Sequence, residues 1–279
     1  MSFTIQPSGD ALGAIVTDID LGNAQSAETV AALNDALHTH IALCFRDQDL
    51  TPATFAAAAR RFGEPIVQTS RHLDLPEHPE VGTISSESVD VHGDGRKMIT
   101  GTTWHTDHSF TARPPKATTL YGVTIPTRGG DTSFCNMRAV YAALPNALRA
   151  RVDGLRGVHC YESHRAPGKL MQRSAAEIAA TPDVTHPLAR TYPPTGEKAL
   201  YLSTTRLDRI VDMDLEASDE LIDELMTYAD RPEFHYHHQW RAGDMVIWDN
   251  RCAMHHANAD YGNEKRVLHR VLIEGEVPI

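Results

Sequence analysis

Cysteine is scarce in this 279-residue chain, and positive charge is outnumbered. The four cysteines, Cys44, Cys135, Cys160 and Cys252, include no Cys-x-x-Cys pair. That scatter argues against a zinc knuckle or a disulfide framework and for buried, reduced thiols. Lys and Arg number 26 against 37 Asp and Glu, a formal charge of −11. A nucleic-acid partner calls for a basic stripe, so none is expected. Apolar runs are short, and none approaches the roughly 18 residues of a membrane-crossing helix; no membrane partner is expected. The opening Met1-Ser2-Phe3-Thr4-Ile5-Gln6-Pro7 has neither the basic nor the apolar region of a secretory signal, so the expected location is cytoplasmic. Internal repeats and low-complexity segments are also missing. With 41% hydrophobic residues, the chain can bury one large core, and a single domain over residues 1–279 is expected.

Hydrophobic periodicity predicts a strand-rich body bracketed by helices. Helices are expected at 27–38, with Val30, Leu33 and Leu37 on one face, and from Thr51-Pro52, a hydroxyl cap before a first-turn proline, to Phe62 with Gly63 as C-cap. Others are expected at 137–144, 146–153 and 218–229, the last capped by Ser218. Strands are expected at 42–45, 104–110, 118–124, 158–161, 199–202, 234–240, 244–248 and 266–273. The fold class is therefore mainly β with flanking helices (α+β). Short strands punctuated by turns favour two sheets closed around a pocket, for which a jelly roll is one solution.

The chemistry-bearing pattern is Trp104-His105-Thr106-Asp107, answered near the far end of the chain by Met254-His255-His256. On a strand, His105 and Asp107 share a face, so one segment can offer an imidazole and a carboxylate to one metal. His255 would complete the two-His-one-carboxylate set that leaves open positions on ferrous iron. With 16 histidines in the chain, a chance His-x-Asp is common, and the residues downstream add the second signal. On a strand over 266–273, Arg266, Leu268, Arg270 and Leu272 share a face, with the two guanidiniums about 13 Å apart. Their planar forks suit a carboxylate or sulfonate, the bland alternative being a solvated edge strand. Thr132 follows the turn-forming Gly129-Gly130, and its hydroxyl could meet a ligand there. His235, His237 and His238 are read as ordinary strand residues, because His238 faces away from the other two. Trp240 and Trp248 are read as core or pocket wall.

These motifs, together with Pro114-Pro115, Gly129-Gly130-Asp131-Thr132, Trp248-Asp249-Asn250-Arg251, Asn258 and Asp260-Tyr261, extend over nearly the whole chain. So do Leu12-Gly13-Ala14, Asp18 to Leu21, Phe45-Arg46-Asp47-Gln48 and Arg61-Phe62-Gly63 near its start. In this combination the chain resembles the TauD/TfdA family of iron(II)- and 2-oxoglutarate-dependent dioxygenases. The resemblance implies a double-stranded β-helix, the jelly-roll solution. It also implies Fe(II) held by His105, Asp107 and His255, and 2-oxoglutarate as cosubstrate held by Thr132 and Arg266 and flanked by Arg270. O2 is the oxidant, and a small substrate is hydroxylated as 2-oxoglutarate is decarboxylated to succinate and CO2. Because Asp107 is present, the position that related halogenases leave vacant for chloride is filled. A homodimer or homotetramer is expected on the same resemblance.

The family pattern breaks where a substrate is chosen. The sulfonate-binding histidine of taurine-oxidising members falls on Gln68, and a tyrosine three residues later falls on Arg71. Gln68 carries no charge, so taurine is not the expected substrate. An organic anion bearing a sulfonate, sulfate ester, carboxylate or phosphonate is expected instead. Arg270 would contact it with Gln68, Arg71 and His108, and His72, His164 and Arg165 are weaker candidates. Two other classes fit the bare ligand set: a zinc hydrolase, and a noncatalytic small-anion-binding protein in which His105 and Asp107 only satisfy each other. Both leave Arg266 and Thr132 with less to do.

Overall fold

The computed structural model describes residues 3–9, 11–67 and 74–279. Its central strand is Met245–Asp249, which runs antiparallel between Ala42–Phe45 and Ala117–Thr124. Beyond Ala117–Thr124 the nine-stranded sheet continues through Val267–Ile273 and His78–Ser85. On the other side, Ala14–Thr17 pairs parallel to Ala42–Phe45. A second, antiparallel sheet places Thr132–Asn136 between His235–His238 and Ala253–Ala257.

Side-chain alternation explains the layering. In the central strand Val246 and Trp248 join a core shared with Phe134 and Met254 of the small sheet, while Met245 and Ile247 join another core. Ala42 and Cys44 sort to the first, and Leu43 and Phe45 to the second. A sheet buried on both faces reads as a continuous apolar run, as Ala42–Phe45 does. The second core is closed by two helices, Ala27–His40 and Pro52–Arg60, through Leu33, Leu37, Phe55 and Ala59. Thr51 caps the latter helix, accepting from Thr54 N, and the helix ends ahead of Gly63. Helices Met137–Ala143, Asn146–Val152 and Leu215–Ala229 pack on the first core. The last of these starts earlier than its pattern suggests: Asp214 is the cap, and Ser218 is buried, its hydroxyl accepting from Ile210 N at 2.8 Å. A short helix, Ala175–Ala180, closed by a Ser174 and Glu177 capping box, is a further addition. Cys44, Cys135 and Cys252 are buried and Cys160 half-buried, all unbridged. Among the described residues, no helix is long and apolar enough to cross a membrane.

Residues 104–110 correct the strand expected there. His105 makes one bridge, exchanging N–H bonds of 3.0 and 2.9 Å with His255. The chain then turns, with His108 at φ 48° and Thr111 N bonded to His108 O. A non-glycine residue in the left-handed region cannot continue a pleat. Buried polar side chains hold the turn instead: His159 Nδ1 lies 3.0 Å from Ser109 Oγ, and His186 Nε2 donates to Thr111 O at 3.0 Å.

Those two histidines set a pH dependence. Burial, with the adjacent His186, pushes His159 down to about 3; burial pushes His186 down to about 4. Their folded pKa values lie below the unfolded one, so the unfolded chain takes up protons first as pH falls. Their contribution is complete above about pH 6.5, declines steadily as pH falls from there, by roughly 2 kcal/mol per histidine at pH 5, and is fully lost once pH passes below the folded values. Urea titrations of metal-free protein should therefore show markedly lower stability at pH 5.0 than at pH 7.5. A flat profile over that interval contradicts the assignment.

Candidate active site

The turn after the His105 bridge folds Asp107 back toward the two imidazoles. His105 Nε2 lies 3.7 Å from Asp107 Oδ1, and His255 Nε2 lies 3.8 Å from Oδ2. Ligand atoms of the three residues all fall within 4.8 Å of one another. His105 and Asp107 thus converge through a bridge and a turn rather than through strand alternation.

Several neighbours set the protonation and orientation of these groups. His105 Nδ1 lies 2.8 Å from Thr103 O, which fixes its proton there and leaves the Nε2 lone pair toward Asp107. Burial lowers His105 and, with the neighbouring His105 ring, pushes His255 down to about 3. Burial opposes ionisation of Asp107, but His255, Arg270 and His105 outweigh it and hold the carboxyl below its usual range. Two neutral imidazoles and one carboxylate are the protonation states a divalent cation needs. The donor set fits ferrous iron on its own chemistry. His255 is fixed by the Trp248 ring, 4.5 Å away between centroids, and Gly101 leaves room beside His105, since a Cβ there would sit 3.1 Å from Cε1.

A directional hydrogen-bond chain supports the carboxylate from behind. Trp248 Nε1 donates to Asn250 Oδ1 at 2.9 Å, Asn250 Nδ2 donates to Thr118 Oγ1 at 2.8 Å, and Thr118 donates to Asp107 Oδ2 at 2.6 Å. The turn that leads to His255 is pinned by Asp249, which accepts from Arg251 Nε at 2.9 Å and from the Tyr192 hydroxyl at 2.9 Å. The Trp-Asp-Asn-Arg motif therefore has a physical role that its sequence alone does not disclose. Replacing Thr118 by Val keeps volume but removes the donor to Asp107. Iron affinity, measured by competition with a chelator, should fall by about 10- to 100-fold, and unchanged affinity would contradict the supporting role.

The triad opens into a cavity of about 450 Å³ that is also lined by Thr132, Arg266, Arg270 and His108. Arg266 lies just before the strand Val267–Ile273, with its guanidinium buried. Nε donates to Gly130 O at 3.1 Å, while NH2 has no acceptor among the described residues. The Gly129-Gly130 turn makes this possible: Gly130 has φ 74°, and a Cβ there would press on Arg266 Cδ at 3.2 Å. Thr132 Oγ1 accepts from Trp240 Nε1 at 2.9 Å, which leaves its own hydrogen for a ligand. His108 stacks on Phe110 with centroids 5.3 Å apart, and burial and Arg270 push it down to about 3.

Gln68, Arg71 and His72 lie outside the described residues. His164 and Arg165 are corrected: Asp208 and Asp219 flank His164, Asp219 and Asp223 take Arg165, and neither residue lines the cavity. His238 does have metal-type neighbours, Cys44 and Asp244, within the same 4.8 Å limit. Arg46 pairs with Asp244, however, and burial with Asp244 pushes the Cys44 thiol up to about 12, so that cluster is a buried ion-pair network. Residues missed in the sequence are Thr118 and, in the cavity wall, Tyr161, Arg173 and Arg206, and the motif residue Asn250 has a role that the sequence does not assign to it.

Residues 4–272 match the model of the taurine catabolism dioxygenase TauD, TfdA family. An alpha-ketoglutarate-dependent sulfate ester dioxygenase of Pseudomonas putida is 32% identical, covering 100% of this chain and 92% of the relative. An alpha-ketoglutarate-dependent 2,4-dichlorophenoxyacetate dioxygenase of Cupriavidus pinatubonensis is also 32% identical, covering 97% of each. The crystal structure of a taurine dioxygenase from Burkholderia xenovorans superposes with a TM-score of 0.84 at 34% identity, over 100% of this chain and 91% of that one. The two facing sheets are accordingly those of a jelly roll.

Proposed function

From the premise that this chain belongs to the TauD/TfdA family, and is therefore an iron(II)- and 2-oxoglutarate-dependent dioxygenase, we propose that His105, Asp107 and His255 hold the metal and that its primary substrate is a small organic anion. We also propose that the chain works as one catalytic domain, because strands from its start and its end share the sheet that frames the site. The observation that carries the site assignment is the convergence of the triad with Thr132, Arg266 and Arg270 on one cavity.

When bound, the iron supplies the redox chemistry that activates O2 with electrons from the oxo-acid, releasing succinate and CO2. The protein's own contribution is positioning. Arg266 NH2 is a buried donor lacking a partner among the described residues, a state that costs about 1–3 kcal/mol until an acceptor arrives. The distal carboxylate of 2-oxoglutarate supplies that acceptor, and the Thr132 hydroxyl, oriented by Trp240, donates a second bond. Holding the far end fixes where the reacting end lies. Thr118 and Asn250 hold the Asp107 carboxylate in one orientation.

For the substrate, Arg270 faces the same cavity as the triad. Sulfate ester and 2,4-dichlorophenoxyacetate, on which the two relatives act by name, both bear an anionic group, and this supports the same class here. A panel of sulfonates, sulfate esters, carboxylates, phosphonates and neutral or cationic controls, assayed for stimulated succinate release with Fe(II) and O2, tests it. Anions are expected to stimulate release. Stimulation by uncharged or cationic compounds alone overturns the anion assignment.

A further inference from the structure

The cavity wall also carries two guanidiniums gathered on one aromatic ring. The Arg206 guanidinium carbon lies 4.4 Å from the Tyr161 ring centroid and 4.9 Å from that of Phe110. Arg173 lies 4.0 Å from the Tyr161 centroid. Phe110 and Tyr161 meet edge to face at 5.3 Å, and all four residues line the cavity. This arrangement is built on fixed backbone. Arg206 O accepts from Cys160 N, and Leu207, the next residue, pairs with His159 across the sheet. The Tyr161 hydroxyl donates to Met171 O at 2.8 Å, and Arg173 directly precedes the capped helix Ala175–Ala180.

Neither cation has a carboxylate partner among the described residues. Arg206 donates to the Tyr161 carbonyl and Arg173 to the Thr181 hydroxyl, both neutral acceptors. Burial pushes the Arg206 guanidinium below its ordinary range. A cation drawn out of water onto aromatic faces keeps a strong attraction for a desolvated anion, and a guanidinium fork matches carboxylate, sulfonate or phosphonate geometry. Charge balance makes the point sharper. Asp107 is the only carboxylate among the described lining residues. Ferrous iron and Arg266 would be offset by Asp107 and the oxo-diacid, while Lys169, Arg270, Arg206 and Arg173 add further positive charge to the described wall.

We propose that Arg206 and Arg173, gathered on Tyr161, form a second anion subsite, so that the primary substrate is an organic dianion with its two charged groups at separate positions. This deepens the reading of Arg270 as the first anion contact and rests on it. One group of the substrate is held at Arg270 and the other at Arg206 and Arg173, with the oxidised carbon between or beside them. Phe110 and Tyr161 supply the apolar wall for the intervening skeleton.

Calorimetric titration under argon, on protein loaded with Fe(II) and 2-oxoglutarate, tests this. The probes are matched aliphatic monosulfonates and α,ω-disulfonates of several lengths, with the corresponding mono- and dicarboxylates. In the native protein a disulfonate or dicarboxylate of fitting length should bind at least about tenfold tighter than its monoanionic match. Arg206→Leu and Arg173→Leu should each erase most of that advantage while leaving monoanion affinity within about threefold. Arg206→Lys should retain part of it. Monoanions binding as tightly as dianions at every length, or Leu substitutions that weaken both classes alike, would overturn the proposal. Should Arg206→Leu not fold, the native comparison and Arg173→Leu decide. Succinate release is read separately under O2. Dianion preference with no succinate from any probe counts against the metal-site assignment and leaves this subsite standing. Succinate release driven by monoanions alone, without dianion preference, removes the subsite and leaves the metal site intact.

Discussion

Replacing His255 by alanine is expected to cut substrate-stimulated succinate formation by at least about a thousandfold, on the order of 4 kcal/mol of transition-state stabilisation. The side chain is one of three that converge within 4.8 Å, and burial with His105 keeps it neutral, the state that binds a cation. Its loss leaves Asp107 and His105 to hold iron alone. Because the ring also packs on Trp248 at 4.5 Å, alanine leaves a cavity as well, so His255→Gln is the companion variant that preserves most of the volume. Both should fail to retain iron on dialysis while keeping the native near-ultraviolet spectrum. Adding Fe(II) to chelator-treated native protein should restore turnover, and Zn(II), which has no redox chemistry, should not. Retention of turnover by either variant, or full activity with zinc, would contradict the assignment.

The second large effect is expected at Arg266. Its guanidinium is buried, spends Nε on Gly130 O and keeps NH2 without an acceptor among the described residues. Burial lowers its pKa from the ordinary value, the sign of a cation held at a cost. Truncating one partner of a buried, hydrogen-bonded charge pair costs about 2–5 kcal/mol. For Arg266→Met the dissociation constant of 2-oxoglutarate should therefore rise by at least about 30-fold, whatever the primary substrate. The same change removes a buried cation, so the melting temperature of the ligand-free protein should stay level or rise. A purely structural arginine would show the reverse, lower stability with unchanged oxo-acid affinity. Arg266→Lys should not rescue binding, because a lysine cannot both reach Gly130 O and present a second donor.

Much of the scaffold is legible in the chain because its signals are local. The Thr51-Pro52 cap, the stripe of Leu33 and Leu37, and the apolar run Ala42–Phe45 each announce an element that forms where expected. That His105, Asp107 and His255 come together, and that Thr132 and Arg266 line the same cavity, is expected from the family resemblance rather than from any local signal. Residues 104–110 mislead because alternation assumes a ladder, and here a single bridge gives way to a turn at His108. Thr118 carries no signal, and Asn250 stands out only as part of Trp248-Asp249-Asn250-Arg251, since their link to Asp107 appears only when Trp248, Asp249 and Ala117 come into register. Arg206 and Arg173 are hidden likewise, as nothing near them in the chain shows that Tyr161 gathers both. His164 and Arg165 look like anion contacts until Asp208, Asp219 and Asp223 arrive from distant elements to neutralise them.

The most direct measurement of the central claim is equilibrium binding of 2-oxoglutarate under argon, with and without Fe(II), to native protein and to His255→Ala. If three side chains build an iron centre that shares the oxo-acid with Arg266, tight binding requires the metal in native protein and disappears in the variant. If affinity is the same without metal and survives the loss of His255, the cavity is an anion-binding pocket and the dioxygenase site described here is wrong.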